Sequence, residues 1–298
     1  MDRNTQAYEQ LTEAFVKWAQ IEQVIRMAFV VGSRARVDHP ADEWSDLDIA
    51  LVVTDSKHYL SVVSWIESIG NPWLTFVEAA AGGPLMERRV LFEGGLDVDF
   101  LLIPLDVFQQ AVEMGVTPDT ANLFGRGVRV LLDKDGLSAQ LQVFAVEEQP
   151  AQLPSQPELL EVVNNFWYHT VWTAKHLRRG ELWWAKACCD DHLKWLLRRM
   201  MEWHARARAM MKGQDCDTWI RGRFLEEWAD PRALEGLRKA FAHYDKGDIW
   251  RALFVTMDLF QWLSVETMEQ LGYTYPTFGI ERVTELVKGL FSEDRTNT

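Results

Sequence analysis

The chain has 298 residues, with 44 Asp and Glu against 31 Lys and Arg, and a formal net charge of −13. Hydrophobic residues at 48% and charged residues at 25% fit one large or two ordinary globular domains, and exclude disordered, collagen-like and disulfide-stapled chains. The charge is uneven, net −12 over residues 1–150 and net −1 over 151–298, so the first half is a poor partner for nucleic acid or an anionic membrane. Solubility is the plainest reading of that excess, and attraction of a cation the sharper one.

Residues 6–22 place Ala7, Leu11, Ala14, Phe15 and Trp18 near a 3.6-residue period and predict a helix. Apolar runs at Ile25–Val31 and Leu47–Val53 predict strands, the first ending at Gly32-Ser33. A helix is expected over 57–69, and strands near 73–79, 87–93 and 97–103, the last two joined by the turn Gly94-Gly95. A helix over 105–112 and a strand over 128–132 complete a first domain, residues 1–148, built on a mixed sheet. Residues 149–157 carry three closely spaced prolines, Pro150, Pro154 and Pro157, and read as a linker.

Beyond it, residues 158–298 read as a helical domain, with helices near 158–178, 181–211, 232–243, 247–271 and 278–291. The fold class expected is therefore α+β, a mixed-sheet domain followed by an α-helical bundle. Ten of the 14 tryptophans lie in the helical half, where a bundle core is the plain explanation and a ligand cleft the sharper one. Cys188, Cys189 and Cys216 form no C-x-x-C pair, and neither an apolar leader nor a spanning run is evident. A cytoplasmic protein is expected.

The chemistry concentrates in three pieces of the first half: Gly32-Ser33-Arg34 after one strand, Asp46-Leu47-Asp48 opening the next, and Asp97-Val98-Asp99 opening a later one. Residues i and i+2 of a strand share a face, so Asp46 and Asp48 point together while Leu47 turns to the core. Adjacent carboxylates repel unless a cation lies between them, and a third one makes an oxygen cage suited to Mg2+. Glycine at 32 permits close approach of a phosphate, and Ser33 offers a hydroxyl and an N–H to it.

These segments, with the hairpin Val90–Phe100, resemble the polymerase-β-like nucleotidyltransferase superfamily. Val130–Gly136, Phe166-Trp167, Trp184-Ala185-Lys186, Asp190, Leu196–His204 and Leu271–Pro276 narrow the resemblance to the aminoglycoside 6-adenylyltransferases, also called the streptomycin adenylyltransferase family. The resemblance implies that Asp46, Asp48 and Asp99 are catalytic metal ligands and that Gly32, Ser33 and Arg34 bind the nucleotide. It implies two Mg2+ ions, ATP as donor, and a hydroxyl of a polycationic, streptomycin-like aminoglycoside as acceptor.

Two departures stand out. Leu47 replaces a frequent aromatic, and Asp97 is an extra acid beside Asp99, open to roles as metal ligand, substrate contact or surface charge. Asp190 matches an acid of the family's helical domain and stands four residues after Lys186, on the same helix face. It is the candidate general base, with Lys186 on the triphosphate, and a solvated Lys–Asp pair is the bland alternative. Another small-molecule or protein acceptor, or a non-catalytic binding protein, are the rival functions. The sequence leaves the oligomeric state open.

Overall fold

The computed structural model describes residues 3–80, 84–115, 126–143 and 153–296, and the chain divides into two compact units, Met1–Glu148 and Gln149–Thr298. Of the expected linker, residues 149–152 lie outside the described residues, while Gln156 and Pro157 already belong to a helix.

The first unit is a six-stranded mixed sheet in the order β3-β4-β5-β2-β1-β6. Its strands are β1 (Ile25–Val31), β2 (Leu47–Val53), β3 (Pro72–Ala79), β4 (Met86–Phe92), β5 (Leu96–Pro104) and β6 (Arg129–Asp133). The β2–β5 pair is parallel and its neighbours are antiparallel. Helix α1 (Arg3–Ile21) covers one face, where Phe15 and Trp18 pack with Tyr59, Trp65 and Phe100. The other face buries Phe29, Ala50, Val52 and Leu101 beside Phe108 of α3 (Leu105–Met114). Burial on both faces is why β1 and β2 read as unbroken apolar runs rather than alternating ones.

The helix expected over 57–69 is broken. Helix α2 (Ser56–Ser61) stops at an extended Val62, and Ser64–Ser68 forms a 3-10 turn. Arg88, buried on β4, supplies the reason: its Nε donates to the Tyr59 carbonyl at 3.0 Å and a second nitrogen donates to the Leu60 carbonyl. Those carbonyls would otherwise accept from the next helical turn, and the β-branched Val62-Val63 pair adds little helical preference.

The second unit contains α4 (Gln156–Arg178), α5 (Leu182–Ala187), α6 (Leu193–Met211), α7 (Leu225–Trp228), α8 (Pro231–Ala240), α9 (Lys246–Gln270) and α10 (Thr277–Thr296). The Glu158 carboxylate accepts from the Ser155 N–H at 2.8 Å and Pro157 sits in the first turn, so α4 starts at a capped end. Phe166 of α4 and Phe260 of α9 stack with ring centroids 3.7 Å apart at the centre of the helical core. Trp167, Trp203 and Trp250 are buried there, whereas Trp183, Trp184 and Trp195 are exposed, so the tryptophan excess is only partly core. The helix expected over 181–211 is interrupted by a π-turn at Cys188–His192. Among the described residues, no helix is long and apolar enough to cross a membrane.

Candidate active site

Strand register brings the predicted carboxylates together. Val31 at the end of β1 lies opposite Asp48, and Asp48 lies opposite Asp99 across the parallel β2–β5 pair. Asp46 immediately precedes β2, while the intervening Leu47 is buried. Asp46, Asp48 and Asp99 each offer a carboxylate oxygen, and these oxygens lie within 4.8 Å of one another. Three hard oxygen donors with no sulfur or imidazole suit a hard divalent cation such as Mg2+.

The turn after β1 completes this cage. Gly32 has φ +68°, and a Cβ there would lie 2.4 Å from Asp48 Oδ2, so both backbone and space demand glycine. Ser33 is buried, and its Oγ has no hydrogen-bond partner among the described residues. The Ser33 hydroxyl, in the same turn as Gly32, thus keeps its hydrogen-bonding capacity unused.

Arg34 is turned inward to this loop. Its Nε donates to the Asp46 carbonyl at 2.8 Å and its Nη2 to the Ser45 carbonyl at 2.6 Å, while the guanidinium lies 3.7 Å from the Tyr8 ring centroid. Tyr8 in turn donates its hydroxyl to Asp97 Oδ1 at 2.8 Å. Asp97 is thus exposed but partnered, and lies outside the three-carboxylate group. Burial, then the hydrogen bond to Asp97 and its charge, pushes the Tyr8 hydroxyl well above the ordinary phenol range.

Asp99 is the most enclosed of the three acids. Burial pushes its carboxyl up to about 6; the Arg89 guanidinium opposes the rise, and Glu87, Asp46 and Asp97 add to it. Arg89 lies opposite Asp99 in the β4–β5 register and reaches within 3.4 Å of its Oδ2. Tyr8, Glu87 and Arg89 escape a reading of motifs. The alternating charges Glu87 and Arg89 inside an otherwise strand-forming segment are the signal that marks a polar row on that sheet face.

In the second unit, Lys186 and Asp190 form their ion pair, and Lys186 Nζ also donates to the Ala242 carbonyl at 2.7 Å. Asp190 stands in the π-turn, a distortion found often at functional sites. Lys194 lies buried behind it, donating to the Cys189 carbonyl at 2.8 Å and Thr256 Oγ1 at 2.9 Å, with Nζ 3.9 Å from Asp190 Oδ1. Burial lowers the Lys194 pKa, and Asp190 Oδ1 has no hydrogen-bond partner among the described residues. The pair is therefore half-buried, unlike one on a solvated helix face. All three cysteines are free, and burial pushes the Cys189 thiol up to about 11, which keeps it protonated and inert.

The streptomycin adenylyltransferase family profile matches residues 5–290. The chain belongs to that family. It is accordingly a nucleotidyltransferase, with its acidic triad on the sheet unit. Two relatives are named aminoglycoside 6-adenylyltransferase. That of Bacillus subtilis (strain 168) is 26% identical over 293 residues, spanning 95% of this chain and 97% of the relative. That of Campylobacter jejuni is 24% identical over 94% of both chains. A crystal structure of an aminoglycoside 6-adenyltransferase from Bacillus subtilis is 23% identical over 95% of this chain and 98% of the other, with a TM-score of 0.43.

Proposed function

We propose that this nucleotidyltransferase transfers AMP from ATP to the 6-hydroxyl of a streptomycin-like aminoglycoside, releasing pyrophosphate and inactivating the drug. The observation that carries the chemistry is the convergence of Asp46, Asp48 and Asp99 beside Gly32 and the orphaned Ser33 hydroxyl. The acceptor class rests on relatives of that name that match over nearly the whole chain.

In this reading Asp46, Asp48 and Asp99 hold Mg2+, two ions in the full complex. Mg2+ held there supplies charge neutralisation at the phosphates and a lowered pKa for the attacking hydroxyl. Gly32 lets the backbone approach the triphosphate, and Ser33 donates its hydroxyl and N–H to it. Arg34 acts by fixing the carbonyls of Ser45 and Asp46, which holds the loop that carries the first acid. The acceptor oxygen attacks the α-phosphorus, the bond to the bridging oxygen breaks, and pyrophosphate leaves with that oxygen. Asp190 accepts the hydroxyl proton or pairs with an ammonium group of the acceptor. Contact of Lys186 with the triphosphate would require its bonds to Asp190 and the Ala242 carbonyl to open. The reaction belongs in the cytoplasm, which supplies ATP and keeps the three thiols reduced.

Mass spectrometry of streptomycin incubated with the protein, ATP and Mg2+ tests the reading. The expected product carries one adenylyl group. A panel of aminoglycosides left unmodified, alongside labelling of a different acceptor, overturns the substrate assignment.

A further inference from the structure

Arg89 has no part in the reading above, yet its guanidinium lies against Asp99 of the triad. The registers line up one row across the sheet: Arg89 on β4, Asp99 on β5, Asp48 on β2 and Val31 on β1, with Gly32 and Ser33 following. The triad thus has a phosphate-binding turn at one flank and a guanidinium at the other. That guanidinium is held in place, with Nε 2.6 Å from Glu78 Oε1 and Nη2 2.8 Å from Glu87 Oε1. Its remaining reach is toward Asp99 Oδ2, at 3.4 Å. The Glu87 and Asp99 side chains are almost enclosed, while the Arg89 side chain is 41% exposed and so open to an arriving ligand.

We propose that Arg89 makes metal binding at the triad depend on the nucleotide. The inference rests on the triad being the metal site, as in the function proposed above. In the nucleotide-free protein a positioned positive charge already occupies one face of the nearly enclosed Asp99 carboxylate. A divalent cation entering the triad meets that charge and loses part of the attraction of the three carboxylates. A triphosphate brings several negative charges and oxygen acceptors that a guanidinium binds well. With the phosphates between them, the repulsion between guanidinium and metal is offset, and both cations favour the same ligand. Metal and nucleotide are then coupled: each tightens the other by the same factor, and Arg89 sets part of that factor. An enzyme of this kind takes its metal together with ATP rather than ahead of it. Glu78 and Glu87 serve as positioning residues that keep the guanidinium at the rim when Asp99 turns to the metal.

The test uses Mn2+ as the probe, read by electron paramagnetic resonance on the full-length protein, with and without an ATP analogue whose α,β bridge is methylene. Mn2+ carried by the analogue alone is the blank, and a thermal melt of each variant checks folding. The Arg89→Gln protein is expected to bind Mn2+ about tenfold more tightly than wild type without the analogue, and to show a correspondingly smaller gain on adding it. Arg89→Lys, which keeps the charge, is expected to stay close to wild type. Asp48→Asn serves as the marker of the metal site and is expected to lose Mn2+ in both conditions. If Asp48→Asn loses Mn2+ but Arg89→Gln matches wild type in both conditions, the role of Arg89 is overturned and the metal site stands. If Asp48→Asn binds Mn2+ as wild type does, the triad is not the metal site and both readings fall.

Discussion

Asp48 and Asp99 face each other across a parallel strand pair, whereas Asp190 stands in a five-residue π-turn with lysines before and behind it. The first arrangement is set by backbone register. Shifting either strand by one residue would turn its acid to the opposite face and bury it against apolar side chains, so the pairing admits no small adjustment. The second is set by side-chain charge: Lys186 holds one oxygen of Asp190, and Lys194 approaches the other without a hydrogen bond. If the triad holds small hard cations, as proposed above, it gains from the stiff solution. Asp190, proposed above to face the acceptor, is held instead by two lysines that are themselves anchored, Lys186 on the Ala242 carbonyl and Lys194 on the Cys189 carbonyl and Thr256 Oγ1.

That contrast can be broken most sharply at Asp48. Asp48→Asn is expected to lower kcat for pyrophosphate release by about a thousandfold or more while melting like wild type. Equal rates would remove the chemistry from the sheet unit altogether. Gly32→Ala is the next largest: the new methyl meets Asp48 and the positive φ is strained, so kcat/KM should fall by about a hundredfold. Its melting temperature should also drop, by the equivalent of about 1–2 kcal/mol.

The helical carboxylate should behave differently. Asp190→Asn is expected to raise KM for the aminoglycoside by about tenfold and leave KM for ATP unchanged. A rise confined to ATP would move Asp190 from the acceptor to the nucleotide.

The smallest effects are on stability, and the two units should show opposite pH slopes. Without metal, Asp99 keeps its proton up to about pH 6 in the folded state but only to the ordinary carboxylate range when unfolded. The folded state therefore binds more protons across that window, and stability falls as pH rises through it. In EDTA, Asp99→Asn should be more stable than wild type at pH 7.5, by at most on the order of 3 kcal/mol, with the gap closing below pH 4. In the helical unit, burial lowers the pKa of His204 although Glu266 opposes the shift. There the unfolded state binds the extra proton, so stability is lost as pH falls below the ordinary histidine value. His204→Gln should flatten that acid slope, as followed by melting between pH 5 and about pH 7.

Much of this geometry was legible in the chain. β1 and β2 run from Ile25 to Val31 and from Leu47 to Val53 as expected, because strands buried on both faces leave an uninterrupted apolar trace. The alternation of Asp46 and Asp48 around Leu47 placed two acids on one side, and the structure brings Asp99 to them. What escaped depends on contacts distant in sequence. The break after Ser61 is caused by an arginine on β4, and no local propensity announces it. Arg89 reaches Asp99 only because β4 and β5 pair in one particular register. Tyr8 joins the site through the docking of α1, and the π-turn at Cys188–His192 leaves the helical periodicity on either side intact.

The β2–β5 pairing also bears on how this protein reaches its folded state. Asp48 and Asp99 are 51 residues apart in sequence, and the strands between them, β3 and β4, form antiparallel partners that need far less loop closure. Local hairpins close before distant parallel pairs, because the chain entropy lost grows with the span enclosed. On that ordering the three-acid cage is expected to assemble after the β3–β4 and β4–β5 hairpins, with only the β1–β6 pair, Phe29 against Val130, closing a longer span. If the triad binds a cation as proposed, recovery of that binding after dilution from denaturant should trail the return of hairpin secondary structure.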